Sequence, residues 1–270
     1  MPLLDSNWGK SEVRVSKLIR GDDRHDFLDL TVHIRLAGEV EAAHTEGDNA
    51  GVLPTDTMKN TVYVLAQDHL TPDLEAFGEL LCDHFLTKSW ISEANVTIEQ
   101  VMWARAMPTG FVGGSSERRT AHVTRGARTK TSAGVHGLVV LKTAGSAFEG
   151  FPKDEWTTLP ETDDRILATS MSVLWDYASV PADTTATWER VRQVLTDHFF
   201  DDWSASMQHQ GYQMAEAVLA VVPEISEISL RLPNQHHLPF DLTRLGVEWH
   251  DTVFQPVSAP YGDISMKVTR

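Results

Sequence analysis

The order of periodicities along the chain restricts its fold more than any other feature. Two alternating apolar runs, two helical runs and two further alternating runs follow one another, and this order occurs twice. In the first half, Glu12 to Arg20 reads as a strand, and Leu28, Leu30, Val32, Ile34 and Leu36 alternate with Asp29, Thr31, His33 and Arg35 as its partner. Gly21-Asp22-Asp23 supplies the hairpin turn between them. A helix is expected from about Asp56 to Asp68. A second follows Thr71, with Pro72 in its first turn and Leu74, Phe77, Leu81 and Phe85 on one buried face. Val96, Ile98 and Met102 mark one closing strand and Thr120 to Thr124 the other, while Met107 to Ser116 reads as a flexible loop.

The second half repeats the order without repeating the residues. His136 to Lys142 reads as a buried strand, and Leu167, Thr169, Met171, Val173, Trp175 and Tyr177 alternate as its partner. Trp188, Val191, Leu195 and Phe199 mark one helix, and Met207, Gly211, Met214, Val218 and Val222 mark another. Ile228, Leu230 and Leu232, then Ile264, Met266 and Val268, give two last strands. Antiparallel hairpins flanking helix pairs define an α+β fold of two ββααββ units and exclude a doubly wound nucleotide fold.

Charge and composition narrow the function. A formal net charge of -15 over 270 residues argues against nucleic acid or an anionic membrane as partner, since both require a basic surface. An anionic substrate would have to be attracted by local Lys and Arg. The single cysteine, Cys82, excludes an intrachain disulfide and a Cys-rich metal site, and its apolar helical surroundings predict a buried, inert thiol. There is no G-x-G-x-x-G, H-E-x-x-H, haem-attachment or Walker A pattern, so no cofactor and no metal are expected. His236 and His237 are adjacent, and neighbours in an extended segment point to opposite faces, which is poor geometry for a shared ion. No apolar run is long enough to span a bilayer, and MPLLDSNWGK lacks the apolar stretch of a signal peptide, so a cytoplasmic protein is expected.

The densest cluster of polar chemistry is GDNAGVLPTDTMKNTVY, from Gly47 to Tyr63. Turn residues and Pro54 lead into Thr55-Asp56-Thr57 at the start of a helix, where unpaired N–H groups and the positive end of the dipole favour a small anionic or heterocyclic ligand. Plain helix capping is the competing reading of the same residues. Taken with Trp8-Gly9-Lys10 upstream, Phe148-Glu149-Gly150-Phe151, the segment TTLPETDDRILAT from Thr157 to Thr169, and Leu232-Pro233-Asn234-Gln235-His236-His237, this stretch resembles the urate oxidase (uricase) family over nearly the whole chain.

That resemblance implies two tandem T-fold (tunnelling-fold) domains, residues 1–134 and 135–270, whose antiparallel sheets carry helices on their outer face. The sheets of several subunits would join into a tunnel-shaped barrel, in a homotetramer with active sites between subunits. It also implies a cofactor-independent enzyme that converts urate, molecular oxygen and water to 5-hydroxyisourate and hydrogen peroxide. Lys10, Thr55 and His236 match the family's proton relay. Arg165 and Gln208 match its substrate clamp, with Phe148 stacking on the purine, Met207 donating a backbone N–H, and Asn234 with Thr55 holding oxygen. Asp56 would contact substrate through its backbone and cap the helix with its side chain. Lys10, Thr55 and Asp56 would come from one subunit and the other residues from its neighbour. The competing reading is a non-catalytic purine-binding T-fold protein, which has no need for the Lys–Thr–His set.

Several positions depart from the family pattern. Trp8 replaces a tyrosine, Pro54 an alanine, and Met58 stands where glutamine is common. Gln235 and Leu238 change the neighbourhood of His236, and Pro54 restricts Leu53 to extended conformations. None of these removes a group assigned to the chemistry.

Overall fold

The computed structural model describes residues 3–248 and 250–270. The chain forms two compact units. The first holds the residues up to Gly134 together with Trp175–Trp188, and the second holds Val135–Leu174 and Glu189–Arg270.

In the first unit, β1 (Trp8–Arg20) pairs antiparallel with β2 (His25–Gly38) through a turn closed by Gly21 N–H to Arg24 C=O at 3.0 Å. A short helix α1 (Glu41–Thr45), not anticipated from periodicity, precedes α2 (Thr55–His69) and α3 (Leu74–Leu86). Then β3 (Ile91–Val101) pairs with β2, and β6 (Arg118–Gly126) pairs with β3, giving the sheet order β1-β2-β3-β6. Strand residues on one face of this sheet are apolar and lie beneath the helices. Leu30, Val32, Ile34, Leu36, Met58, Val62, Leu81 and Phe85 are all inaccessible to solvent. Each such side chain contributes roughly 1.5–3 kcal/mol by leaving water. Gly78 permits the close packing of α3, since a Cβ there would come within 2.8 Å of Val123 Cγ2. The opposite face is polar and cross-linked between strands, with Asn95 to Thr124 at 2.7 Å and Thr97 with His122 at 3.1 Å.

Four local expectations need correction. Pro72 lies outside α3, because Asp73 is the N-cap and its carboxylate accepts from Ala76 N–H at 2.9 Å. Met102 falls just beyond β3. The segment read as a loop from Met107 contains most of a small hairpin, β4 (Ala104–Met107) with β5 (Gly110–Val112); Arg105 lies over the Phe111 ring at 4.9 Å and donates to Pro108 C=O at 3.0 Å. His136 to Lys142 is not buried throughout, since His136, Val139 and Leu141 are exposed and alternate with buried neighbours.

In the second unit the sheet order is β7 (Lys130–Lys142), β8 (Leu167–Tyr177), β9 (Ile225–Pro239) and β10 (Phe254–Thr269); the first residues of β7 and the last of β8 are grouped with the other unit. The helices are α4 (Thr184–Asp201) and α5 (Met207–Val221). Val191, Leu195, Phe199, Met214 and Val218 are fully buried, as their spacing requires. Gly211 lets α5 approach β9 and β10, because a Cβ there would lie 2.5 Å from Met266 Cε and 2.8 Å from Leu232 Cδ1. Two ββααββ units of antiparallel sheet and paired helices are the α+β architecture expected from the sequence. Among the described residues no helix is long and apolar enough to cross a membrane. Cys82 is fully buried, and burial pushes its thiol pKa up to about 12.

Candidate active site

In the first unit, three features of β1 aim Lys10. Gly9 lies so close to β2 that a Cβ would stand 1.9 Å from the Ile34 carbonyl oxygen, so no other residue fits between Trp8 and Lys10. Directly after Lys10 the β1–β2 register shifts, with Glu12 at φ 58°, and such a bulge re-aims the side chains beside it. Trp8 then ties the strand to the next loop, since its indole N–H donates to the Leu53 carbonyl at 3.0 Å. The tryptophan that departs from the family pattern therefore has a definite partner.

Pro54 follows Leu53 with φ -57° and ψ 134°, and α2 starts at Thr55. Among the described residues no side chain caps the start of this helix. The expected capping role of Asp56 is not observed, because its carboxylate is drawn instead to Lys59 Nζ at 2.5 Å and Asn60 Nδ2 at 3.2 Å, one turn further along. The Lys59 hydrogen bond is the main cause of the lowered Asp56 pKa, and the charge of Lys10 adds to it. The Trp8–Leu53 bond thus ties the strand of Lys10 to the loop that leads into the Thr55-Asp56 turn.

In the second unit, three loops converge. Phe148 and Thr162 form a two-way bridge, with N–H to C=O distances of 2.8 and 3.1 Å. The Arg165 guanidinium lies over the Phe148 ring, 5.2 Å from its centroid, and Phe151 stacks on Phe148 at 4.8 Å and 16°. Arg165 Nε is buried and has no hydrogen-bond partner among the described residues. Burial lowers the pKa of Arg165, from an ordinary value so high that the guanidinium remains charged. The third loop reaches α5 through Ser204, whose N–H donates to Gly145 C=O at 3.0 Å and whose C=O accepts from Ala147 N–H at 2.9 Å.

Ser206 caps α5 by accepting from His209 N–H at 3.1 Å. The backbone N–H groups of Met207 and Gln208 are in the first turn, where a helix has no acceptor of its own for them. The Met207 side chain is buried, so its difference from the family residue is a matter of core packing, while Gln208 is exposed. Asn234 and His236 lie on β9, where the pairing with β10 shifts register between Val257 and Gly262. The His236 pKa is lowered, first by burial and then by the Arg165 charge, so the imidazole is held neutral.

Lys10, Thr55 and Asp56 belong to one unit, and Phe148, Arg165, Met207, Gln208, Asn234 and His236 to the other. Two further residues have no side-chain signature in the sequence. Asp164 holds backbone N–H groups of two of the converging loops, and Lys142, almost fully buried, donates to Asp202 C=O at 2.6 Å and Gln210 Oε1 at 2.7 Å beneath the third. Among the described residues no three His, Cys, Asp or Glu side chains are grouped so as to hold a metal ion.

A family model described as Uricase matches residues 6–133 and again residues 131–265. The uricase of Arthrobacter globiformis is 41% identical over 98% of this chain and 89% of its own length. That of Dictyostelium discoideum is 36% identical over 99% and 97%. The crystal structure of the Arthrobacter globiformis uricase matches with a TM-score of 0.95, covering 100% of this chain and 95% of that one.

Proposed function

This chain belongs to the uricase family and is a urate oxidase of the T-fold class, and we propose a division of labour among its residues. Urate gives up two electrons and two protons to molecular oxygen, forming hydrogen peroxide, and water adds across the oxidised purine to give 5-hydroxyisourate. Arg165 and Gln208 clamp the purine edges. A guanidinium fork donates two parallel hydrogen bonds to a carbonyl and an anionic ring nitrogen, and an amide offers both a donor and an acceptor. The Met207 backbone N–H adds a donor from the start of α5. Phe148 stacks on the purine plane.

Lys10 and Thr55 start the reaction. The Thr55 hydroxyl takes a proton from urate and passes its own to the Lys10 amine, which must be unprotonated at that moment. His236, kept neutral by burial and by Arg165, completes the relay as an acceptor. Asn234 and the Thr55 hydroxyl hold oxygen over the purine, where an amide donor stabilises charge developing on it.

Lys10, Thr55 and Asp56 act from one subunit of a cytoplasmic homotetramer upon urate clamped by its neighbour. Assembly is supported by β1 and β10, which stand at the ends of the strand order with their outer edges unpaired among the described residues.

The observation that carries this reading is the charged fork of Arg165 over the aromatic plane of Phe148, 5.2 Å from its centroid, with the Arg165 charge also acting on His236. The test is oxygen uptake with metal-free protein and urate, followed beside the loss of urate absorbance and repeated with Lys10→Ala. Uptake that survives chelation and collapses in the variant supports the relay. Full uptake by Lys10→Ala overturns it.

A further inference from the structure

We propose that Asp164 is a positioning residue that sets the substrate clamp without touching substrate. The inference rests on the reading of Arg165 and Phe148 as that clamp. One oxygen of its carboxylate, Oδ1, accepts three backbone N–H groups: Gly145 at 2.7 Å, Ser146 at 3.2 Å and Arg165 at 3.0 Å. Two of these donors begin the loop that carries Phe148, and the third is the backbone of Arg165 itself. A single anion therefore fixes both halves of the clamp in one register.

The surrounding bonds extend that control. Thr162, bridged to Phe148 through the backbone, turns its hydroxyl to the Asp164 carbonyl at 2.5 Å. Gly145 and Ala147 also bond Ser204, so the approach to Met207 and Gln208 is tied to the same loop. Below it, the charge of Asp164 acts on the buried Lys142, whose ammonium grips Asp202 and Gln210. Gly145 takes the left-handed turn this requires, at φ 81°. Asp163, just before it in the chain, is exposed and serves as a control.

An anion accepting several N–H groups makes stronger bonds than a neutral amide oxygen in the same place. Asp164→Asn retains an acceptor and loses the charge; Asp164→Ala loses both. The groups that transfer protons and hold oxygen remain in place, so binding rather than turnover should respond. We expect the Kd for urate without oxygen, and the KM, to rise about threefold in Asp164→Asn and about tenfold in Asp164→Ala, with kcat within about twofold of the parent. Asp163→Ala should leave all three unchanged.

Arg165→Gln is measured alongside. If it leaves the Kd unchanged, the clamp reading fails and this inference with it. If Arg165→Gln weakens binding while both Asp164 variants match the parent, the positioning role alone is overturned. A fall in kcat at constant KM in Asp164→Asn also overturns it. Should Asp164→Ala fail to fold, the near-isosteric Asp164→Asn carries the test alone.

Discussion

The Trp8 indole N–H and the Leu53 carbonyl, 3.0 Å apart, join the strand that carries Lys10 to the loop that delivers Thr55. Gly9 presses that strand onto Ile34, and Pro54 restricts the loop on its other side, so the bond connects two segments that have little freedom left. Lys10 and Thr55 are separated by 45 residues of chain, and this contact gives them a short route of mutual constraint.

Trp8→Phe tests that link, since it keeps an aromatic ring and removes the donor. Stability should fall by about 1 kcal/mol, the usual net worth of one such hydrogen bond. Turnover should fall by about tenfold, because small misplacements of a proton-transfer pair are costly, while KM for urate stays close to the parent value. Urea unfolding and steady-state kinetics check both. Unchanged turnover would detach Leu53 from the chemistry.

Arg165 and His236 give a pH prediction. Burial and then the Arg165 charge lower the His236 pKa, so the folded protein binds a proton less readily than the unfolded chain. The associated stability is fully present above the unfolded value of about 6.5 and is lost as pH falls through the folded value. Arg165→Gln removes the second cause, and the His236 pKa should move up toward about 6.5. NMR titration of the His236 ring in the parent and in Arg165→Gln measures the shift.

Much of this was legible in the sequence where chemistry and periodicity coincide. The strands, the four long helices and the buried faces of Phe77, Leu81, Leu195 and Phe199 followed from spacing alone. What escaped were competitions between local partners. Asp56 reads as a cap, but Lys59 and Asn60 lie one turn ahead and win its carboxylate. Met107 to Ser116 reads as loop because Gly and Ser weaken any strand pattern, although Arg105 packing on Phe111 supplies the missing constraint. Asp164 could not be singled out, because its partners are backbone N–H groups and two of them lie 18 and 19 residues away. Lys142 shows only as a lysine at a strand end.

The pair Glu75 and Arg119 supports a prediction about folding. Their side chains are 0% and 3% exposed and meet at 2.8 Å, and Arg119 also donates to Pro72 C=O and Thr185 Oγ1, both at 3.1 Å. Arg119→Met strands a buried carboxylate and should cost roughly 3–5 kcal/mol. Adding Glu75→Leu to the same chain should recover most of that loss, since removing both charges also removes the desolvation they suffer. Urea unfolding of the two single variants and the double variant measures the coupling.

The separation of Lys10, Thr55 and Asp56 from the six other site residues, each set in its own unit, has a consequence at the level of mixed populations. If every reaction centre borrows its proton acceptor from one chain and its urate clamp from another, two dead variants can rescue each other. Lys10→Ala and Arg165→Gln chains, each inactive alone, would form about one quarter intact centres when unfolded and reassembled together in equal amounts with random pairing. Mixing the same two proteins after assembly would restore nothing. Recovered urate oxidation that depends on shared assembly is therefore a genetic complementation test for an active site that no single polypeptide owns.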